Sequence, residues 1–491
     1  MKKILFAPLL GVISKMRKTL LSLLFVLIAS TANAADVLVC DTNTCGNTPE
    51  SPYDTWAKAL DDLPATLVRG NTYWVADGAY SAYTFDDDVS GTTLITIKKA
   101  TVASHVTETG WNNSYGDGQA VFDAPLTFHY SYHVIDGNGT HTIPSDTSAD
   151  YGFKIVSTAA TNAKILDIGG YLLPAGNITI KYTHLYNTHG HVDSNTNNAS
   201  IYFYNSAGPL KVQNCFLENS GQDGLMIGAG SNILIERSYI KKLGEKNAHD
   251  PDYHGQAVAA FYGGDDMVFR WNIWEANEGQ GMVVLQGHGS AAYRFRFYGN
   301  VVFNKYGETT AAAGFNGTGG VIGTLTDAES LGVNNVYIYN NTLVNLNGDY
   351  GDGGSENSGF DMDNVIHSEI YGYNNLWYNC ASLSNTGFDA FDKNASGPTG
   401  AAGGTNEQTE LASSIFTNYT GNNFRLASNT TAGFDVSSSA WWSGGEDSFF
   451  GTVDSVVDMY GNTRTTWSRG AYEYYETGNI RGVTASGVTI R

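Results

Sequence analysis

Residues 336–346, Val336-Tyr337-Ile338-Tyr339-Asn340-Asn341-Thr342-Leu343-Val344-Asn345-Leu346, carry apolar side chains at the first, third and eighth positions and amides at the sixth and tenth. The same template begins again at Ile178, Leu210, Ile233, Met267, Phe295 and Ile370. Its third position reads Ile180, Val212, Ile235, Phe269, Phe297, Ile338 and Gly372, and its eighth Leu185, Leu217, Ile240, Trp274, Val302, Leu343 and Trp377. Period-two alternation in so short a run predicts a strand. The sixth position is small or polar (Thr183, Cys215, Ser238, Asn272, Asn300, Asn341, Asn375), and the tenth is Asn187, Asn219, Lys242, Ala276, Asn304, Asn345 and Asn379. Amides stacked about 4.8 Å apart can bond to one another and to the turn backbone, so both columns read as structural.

After the tenth position most repeats resume with glycine and a second apolar strand, as in Gly224-Leu225-Met226, Gly255-Gln256-Ala257, Gly281-Met282-Val283, Gly359-Phe360-Asp361 and Gly387-Phe388-Asp389. Two or more strands per repeat, each coil stacked on the last, make a β-solenoid. The spacings between repeat starts, 32, 23, 34, 28, 41 and 34 residues, are too irregular for propeller blades or leucine-rich repeats.

Composition agrees with an all-β chain. Charged residues are only 15% of the sequence, while Gly reaches 57 and Tyr 30, which excludes a disordered polymer. Near the N-terminus, Met16-Arg17-Lys18, the apolar run Leu20 to Ile28 and Ala32-Asn33-Ala34 form a complete export signal with cleavage before Ala35, and Met16 suffices as its start. The expectation is a secreted or periplasmic protein with no membrane span after the signal. Residues 35–491 carry 22 basic and 48 acidic residues, a net of −26, which argues against nucleic acid as a partner. A polyanionic glycan would need local basic residues or a bridging cation. Of the four cysteines, Cys40 and Cys45 are the expected disulfide, and Cys215 and Cys380 fall in the repeat as buried thiols.

Asp54 to Leu63 reads as a short amphipathic helix, followed by the glycine-bounded strand region Leu67 to Tyr80. A helix there would shield the exposed edge of the first coil. This opening resembles that of the pectate-lyase-like superfamily of β-helix proteins. So do Asn423-Phe424-Arg425-Leu426 and the run from Asp458 to Arg464 leading into Gly470-Ala471-Tyr472-Glu473, although Ser468 and Arg469 replace the acidic and aliphatic residues usual before that run. The resemblance implies an all-β right-handed parallel β-helix with a short N-terminal capping helix and a carbohydrate polymer as ligand. The implied organisation is signal 1–34, cap 35–70, β-helix 71–395, closing segment 396–478 and tail 479–491. Activity does not follow, because the superfamily holds lyases, hydrolases, epimerases and inert adhesins.

Insertions at 188–199, 243–254, 305–319 and 346–358 leave the coils at one turn and are expected to wall a groove beside the second strand. The loop Gly244 to Gln256 packs Lys246, Asp250, Asp252, Tyr253 and His254. Aligning the strand glycines puts Asp223 beside His254 in the next coil, a carboxylate–imidazole pair suited to general acid or base work. Asp265-Asp266 and Gly287-His288-Gly289 look like polygalacturonase motifs but lie on the outgoing side of their coils.

The preferred expectation is a polysaccharide lyase or related uronate-acting enzyme. Tyr253 or His254 would take the proton α to a carboxylate, Lys246, Arg270 and Lys305 would steady the enolate, and Glu278 and Gln280 would contact substrate. A glycoside hydrolase would use Asp223 with Asp250 or Asp252, and a non-catalytic glycan-binding or surface protein is the third reading. Asp349, Asp352, Glu356, Asp361 and Asp363 are ligands of the kind Ca2+ takes, although they match no calcium-loop motif and read as plainly as an acidic surface loop. His189 and His191 with Asp193 or Asp223 form a further metal candidate.

Overall fold

The computed structural model describes residues 34–159, 164–169, 175–189, 198–204, 208–220, 223–228, 230–244, 255–261, 265–277, 281–286, 294–306, 320–324, 333–346, 359–362, 367–380, 383, 385–398, 403–438, 457–465 and 467–474. Its strands form three long parallel sheets of 12, 11 and 9 strands, and each coil contributes to them in turn. The first sheet runs from Asp36–Val39 to Ala390–Asp392, the second from Gly78–Tyr80 to Ala395–Gly397 and the third from Tyr83–Phe85 to Phe360–Asp361. Parallel crossovers of this kind wind right-handed, and the chain is a right-handed parallel β-helix.

The template register holds coil by coil. Ile178, Leu210, Ile233, Met267, Phe295, Val336 and Ile370 are consecutive partners in the first sheet, and Leu185 through Trp377 are consecutive partners in the second. These columns point inward and form one continuous apolar core along the axis. Burial of a whole face fixes register, since a slip of one residue would expose every one of these side chains.

The corner between the first and second sheets is made by the fifth position of each repeat. Tyr182, Asn214, Arg237, Trp271, Gly299, Asn340 and Asn374 all have φ between 50° and 64°, the left-handed region. Asparagine and glycine tolerate that region best, which accounts for four of the seven. The next residue stacks. Asn272, Asn300 and Asn341 each donate backbone N–H to the side-chain oxygen of the following amide, at 3.0, 3.0 and 3.1 Å, and Asn375 does the same to Asn394 at 2.9 Å.

Two expectations change. The helix over Asp54–Leu63 reduces to a single 3-10 turn, Trp56–Lys58. Leu60 instead pairs its backbone with the outermost strand, donating to Leu38 O and accepting from Cys40 N, and this pairing wins over a helix too short to stand alone. The edge is thus covered by extended chain, with one helical turn, Thr42–Cys45, closed by the Cys40–Cys45 disulfide. The other change is in the third sheet. Asp223 pairs with Gln256 and Leu225 with Val258, so the strand glycines 224 and 255 do not mark the register.

Beyond 395 the chain folds back along the outside of the coils. Phe416, Phe424, Met459, Trp467 and Tyr472 cover the outward apolar residues Phe303, Val344, Leu376 and Tyr378. Ser468 and Arg469 are buried there, and Arg469 donates to Asn394 O at the end of the amide column. Cys215 and Cys380 are buried free thiols, each pushed up to about 12 by burial. Among the described residues, no helix is long and apolar enough to cross a membrane.

Candidate functional site

Asp223 opens the strand Asp223–Gly228 of the third sheet and is only 6% exposed. Its neighbour in the next coil is Gln256, not His254, which corrects the pairing expected from the glycines. The inward apolar residues Leu225, Val258 and Val283 set this register, and they shift the alignment by two residues. Gln256 is fully buried with both side-chain amide atoms unpaired. Lys246, Asp250, Asp252, Tyr253, His254, Glu278, Gln280, Glu356 and Asp363 lie outside the described residues, as do His191 and Asp193.

Arg270 lies in the first sheet, on a different face from Asp223. Its Nε donates to Glu236 at 2.6 Å and its Nη1 to the Tyr298 hydroxyl at 3.1 Å, so its guanidinium braces coil to coil. Asp361 accepts from Thr386 Oγ1 at 2.9 Å at the end of the third sheet. Among the described residues, no group of three His, Cys, Asp or Glu side chains could hold a metal ion.

Lys305 leads to a set of residues that no sequence motif marks. Its Nζ lies 2.8 Å from Glu275 Oε1, on the outer face of the second sheet. Glu275 is 2% exposed; it also accepts from the Tyr239 hydroxyl and lies 3.6 Å from Lys241 Nζ. Glu275 and Lys241 belong to the outward ninth position of the template, where Tyr186, Glu218, Lys241 and Glu275 are successive partners, and Tyr239 and Lys305 reach them from the seventh and eleventh positions of their own repeats. Lys154 Nζ sits 4.5 Å from the Tyr186 ring centre, and His184 Nε2 lies 3.2 Å from Glu218 Oε2. The row therefore runs along the axis at the second-to-third-sheet corner, where the chain leaves for the 188–199, 243–254 and 305–319 insertions.

The ninth position changes character downstream, to Phe303, Val344 and Tyr378. Those are the coils that the closing segment covers, with the Phe303 and Phe424 rings 5.1 Å apart and Tyr378 and Tyr419 4.9 Å apart. The sequence signal for the site was thus a column that is charged in three consecutive coils, Glu218, Lys241 and Glu275, and aromatic or aliphatic in the next three.

Burial dominates the electrostatics of the row. It raises the Tyr239 phenol far above its usual range, and the Glu275 carboxylate adds to the effect. Burial also lowers His184, outweighing Glu218, which pulls the other way. Glu218 is itself partly desolvated, yet His184, Lys241 and Lys154 hold its carboxyl below the ordinary range. At neutral pH the row thus carries a neutral imidazole and an ionised Glu218 between lysines.

No family model matches the chain, and no curated protein matches it. Among solved structures, the catalytic unit of a thermostable GH87 α-1,3-glucanase from Streptomyces thermodiastaticus strain HF3-3 is similar at 12% identity and a TM-score of 0.32, over 77% of this chain and 69% of that one. A PL6 family polysaccharide lyase from Pseudopedobacter saltans is similar at 12% identity and a TM-score of 0.29, over 76% of this chain and 92% of that one.

Proposed function

We propose that this protein is a secreted polysaccharide lyase or related uronate-acting enzyme whose glycan lies along the solenoid axis, over the corner between the second and third sheets. The observation that carries the reading is the row Lys154, Tyr186, Glu218, Lys241, Glu275 and Lys305. It supplies local cations on a chain whose net charge is −21, as a polyanionic glycan requires. Coil spacing of about 4.8 Å repeats these groups at intervals suited to a linear polymer. The lysines would pair with uronate carboxylates and stabilise the charge that develops when the α-proton leaves. Tyr253 or His254, on the insertion that leaves this corner after Lys241, would take that proton, and elimination of the glycosidic oxygen would leave an unsaturated uronate.

A hydrolase is the second reading, favoured by one feature: Glu218 and Glu275 stand two coils apart on one face, roughly 9.6 Å between backbones. An inverting mechanism places its carboxyl groups about 6.5–9.5 Å apart. Incubating purified protein with polyuronates and neutral glycans separates the readings. Unsaturated-uronate absorbance supports the lyase, and new reducing ends without it support the hydrolase. Binding without product would reject catalysis at this row.

A further inference from the structure

We propose that Ser148, His184 and Glu218 form an acyl-transfer site that removes O-acyl esters, at the upstream end of the same row. Ser148 Oγ lies 2.8 Å from His184 Nδ1, and His184 Nε2 lies 3.2 Å from Glu218 Oε2. The three residues come from three consecutive coils. Ser148 begins the 3-10 turn Ser148–Asp150, His184 lies in strand Thr183–Asn187, and Glu218 ends strand Phe216–Glu218.

The charges around the ring favour one arrangement of its protons. An ionised carboxylate only accepts, so it selects the imidazole tautomer with hydrogen on Nε2. Nδ1 then carries the lone pair and accepts from the Ser148 hydroxyl, whose other acceptor, Gln119 Oε1, is more distant at 3.5 Å. The Nε2–Glu218 contact misses hydrogen-bond alignment at rest, as catalytic contacts often do before substrate binds. The ring is held in place, 1% exposed and stacked on Phe216 at 4.4 Å with 13° between planes. Ser148 is itself part-exposed, and the next two residues, Ala149 and Asp150, line an open cleft of about 530 Å3 with Asp117, Asn138 and His141. The nucleophile is therefore part-exposed while its base is desolvated.

The chemistry closes without a co-reactant other than water. Ser148 Oγ attacks the ester carbonyl as its proton passes to Nδ1. The tetrahedral intermediate expels the alkoxide, which takes that proton and leaves as a free hydroxyl. Water, deprotonated by the same nitrogen, then cleaves the acyl-serine to a carboxylic acid and restores Ser148. Lys154 lies close enough to His184 to depress its proton affinity. That the natural alcohol is a sugar hydroxyl rests on the glycan reading above; the ester cleavage does not.

The test uses the whole mature protein with p-nitrophenyl acetate and a fluorophosphonate probe, so its outcome is independent of any polysaccharide. The expected result is ester turnover and one covalent adduct on the peptide containing Ser148, both lost in Ser148→Ala. His184→Asn should slow turnover by roughly 100-fold or more. Labelling should persist below the ordinary histidine midpoint, because burial and Lys154 lower His184 more than Glu218 raises it, with Tyr151 and Tyr186 the other titratable groups against the ring. If His184→Asn does not fold, the wild-type adduct and its pH profile decide. Folded wild type with neither turnover nor adduct, or Ser148→Ala with unchanged turnover, would overturn the proposal. Ester cleavage without depolymerisation would reject the lyase reading and leave this one standing.

Discussion

Asp223 and Gln256 stand opposite each other in adjacent coils at the mouth of the third sheet, the one 6% exposed and the other fully buried. Gln256 leaves both polar atoms of its amide unpaired, and such groups cost about 1–3 kcal/mol each. Gln256→Met keeps the length of the side chain and removes the amide. It should raise the denaturant midpoint, by the equivalent of about 1 kcal/mol or more. A lowered midpoint would mean that the amide has a partner in solution.

This pair also shows where sequence reading stops. The first two sheets were legible because their inward columns alternate apolar and polar residues between fixed corners, and Ile178 through Ile370 align on that alone. The third sheet has glycine and small residues on both faces, so Gly224 and Gly255 were an attractive but wrong anchor, and the true one was the inward set Leu225, Val258 and Val283. The row at Tyr186, Glu218, Lys241 and Glu275 was hidden for another reason. Each residue alone reads as an ordinary exposed position, and only the register places them in one line. Ser148 lies in a loop with no repeat at all, so nothing in its spacing could tie it to His184.

The amide stack should be unequal along its length. Asn300 is fully buried, donates to Phe269 O at 2.9 Å and Tyr298 O at 3.1 Å, and accepts from Asn272. Asn304 and Asn345 instead exchange a reciprocal pair of bonds, each Nδ2 donating 3.1 Å to the carbonyl of the other. Asn300→Ala should cost about 1–3 kcal/mol, and more than Asn304→Ala or Asn345→Ala, measured by urea unfolding. Equal midpoints for Asn300→Ala and wild type would remove the stack as a source of stability.

Acid should destabilise the fold through His133. This ring is fully buried against Phe85 and Phe128, and burial first, then Arg69, lowers its pKa to about 3, against an opposing backbone contact from Tyr130. The folded state keeps it neutral, whereas the unfolded chain takes a proton below about 6.5. Its contribution is therefore complete above pH 6.5 and falls by about 1.4 kcal/mol per pH unit on acidification, until the folded-state value is reached. His133→Leu should flatten the dependence of the urea midpoint between pH 6.5 and 4. His141 and His184 are shifted in the same direction and should account for the slope that remains. An unchanged slope in His133→Leu would show that this histidine is not the acid-labile group.

The last prediction separates binding from proton transfer at the second-to-third-sheet corner. Lys241 touches Glu275 at 3.6 Å and faces Glu218 in the preceding coil, so it is placed to meet an acidic polymer without being the base. Lys241→Gln should raise KM for a polyuronate and weaken the salt dependence of binding while changing kcat little, because one cation is lost from a multivalent row. Tyr253→Phe and His254→Ala should do the reverse: whichever is the base should lower kcat by about 100-fold or more with KM nearly unchanged. Asp223 pairs with Gln256, so Asp223→Asn should leave the pH midpoint of turnover where it is; a shift would restore the carboxylate–imidazole pair that the register argues against. Turnover within about threefold of wild type in folded variants of both Tyr253 and His254 would remove the insertion from the chemistry, and would leave Glu218 and Glu275 as the groups to test next.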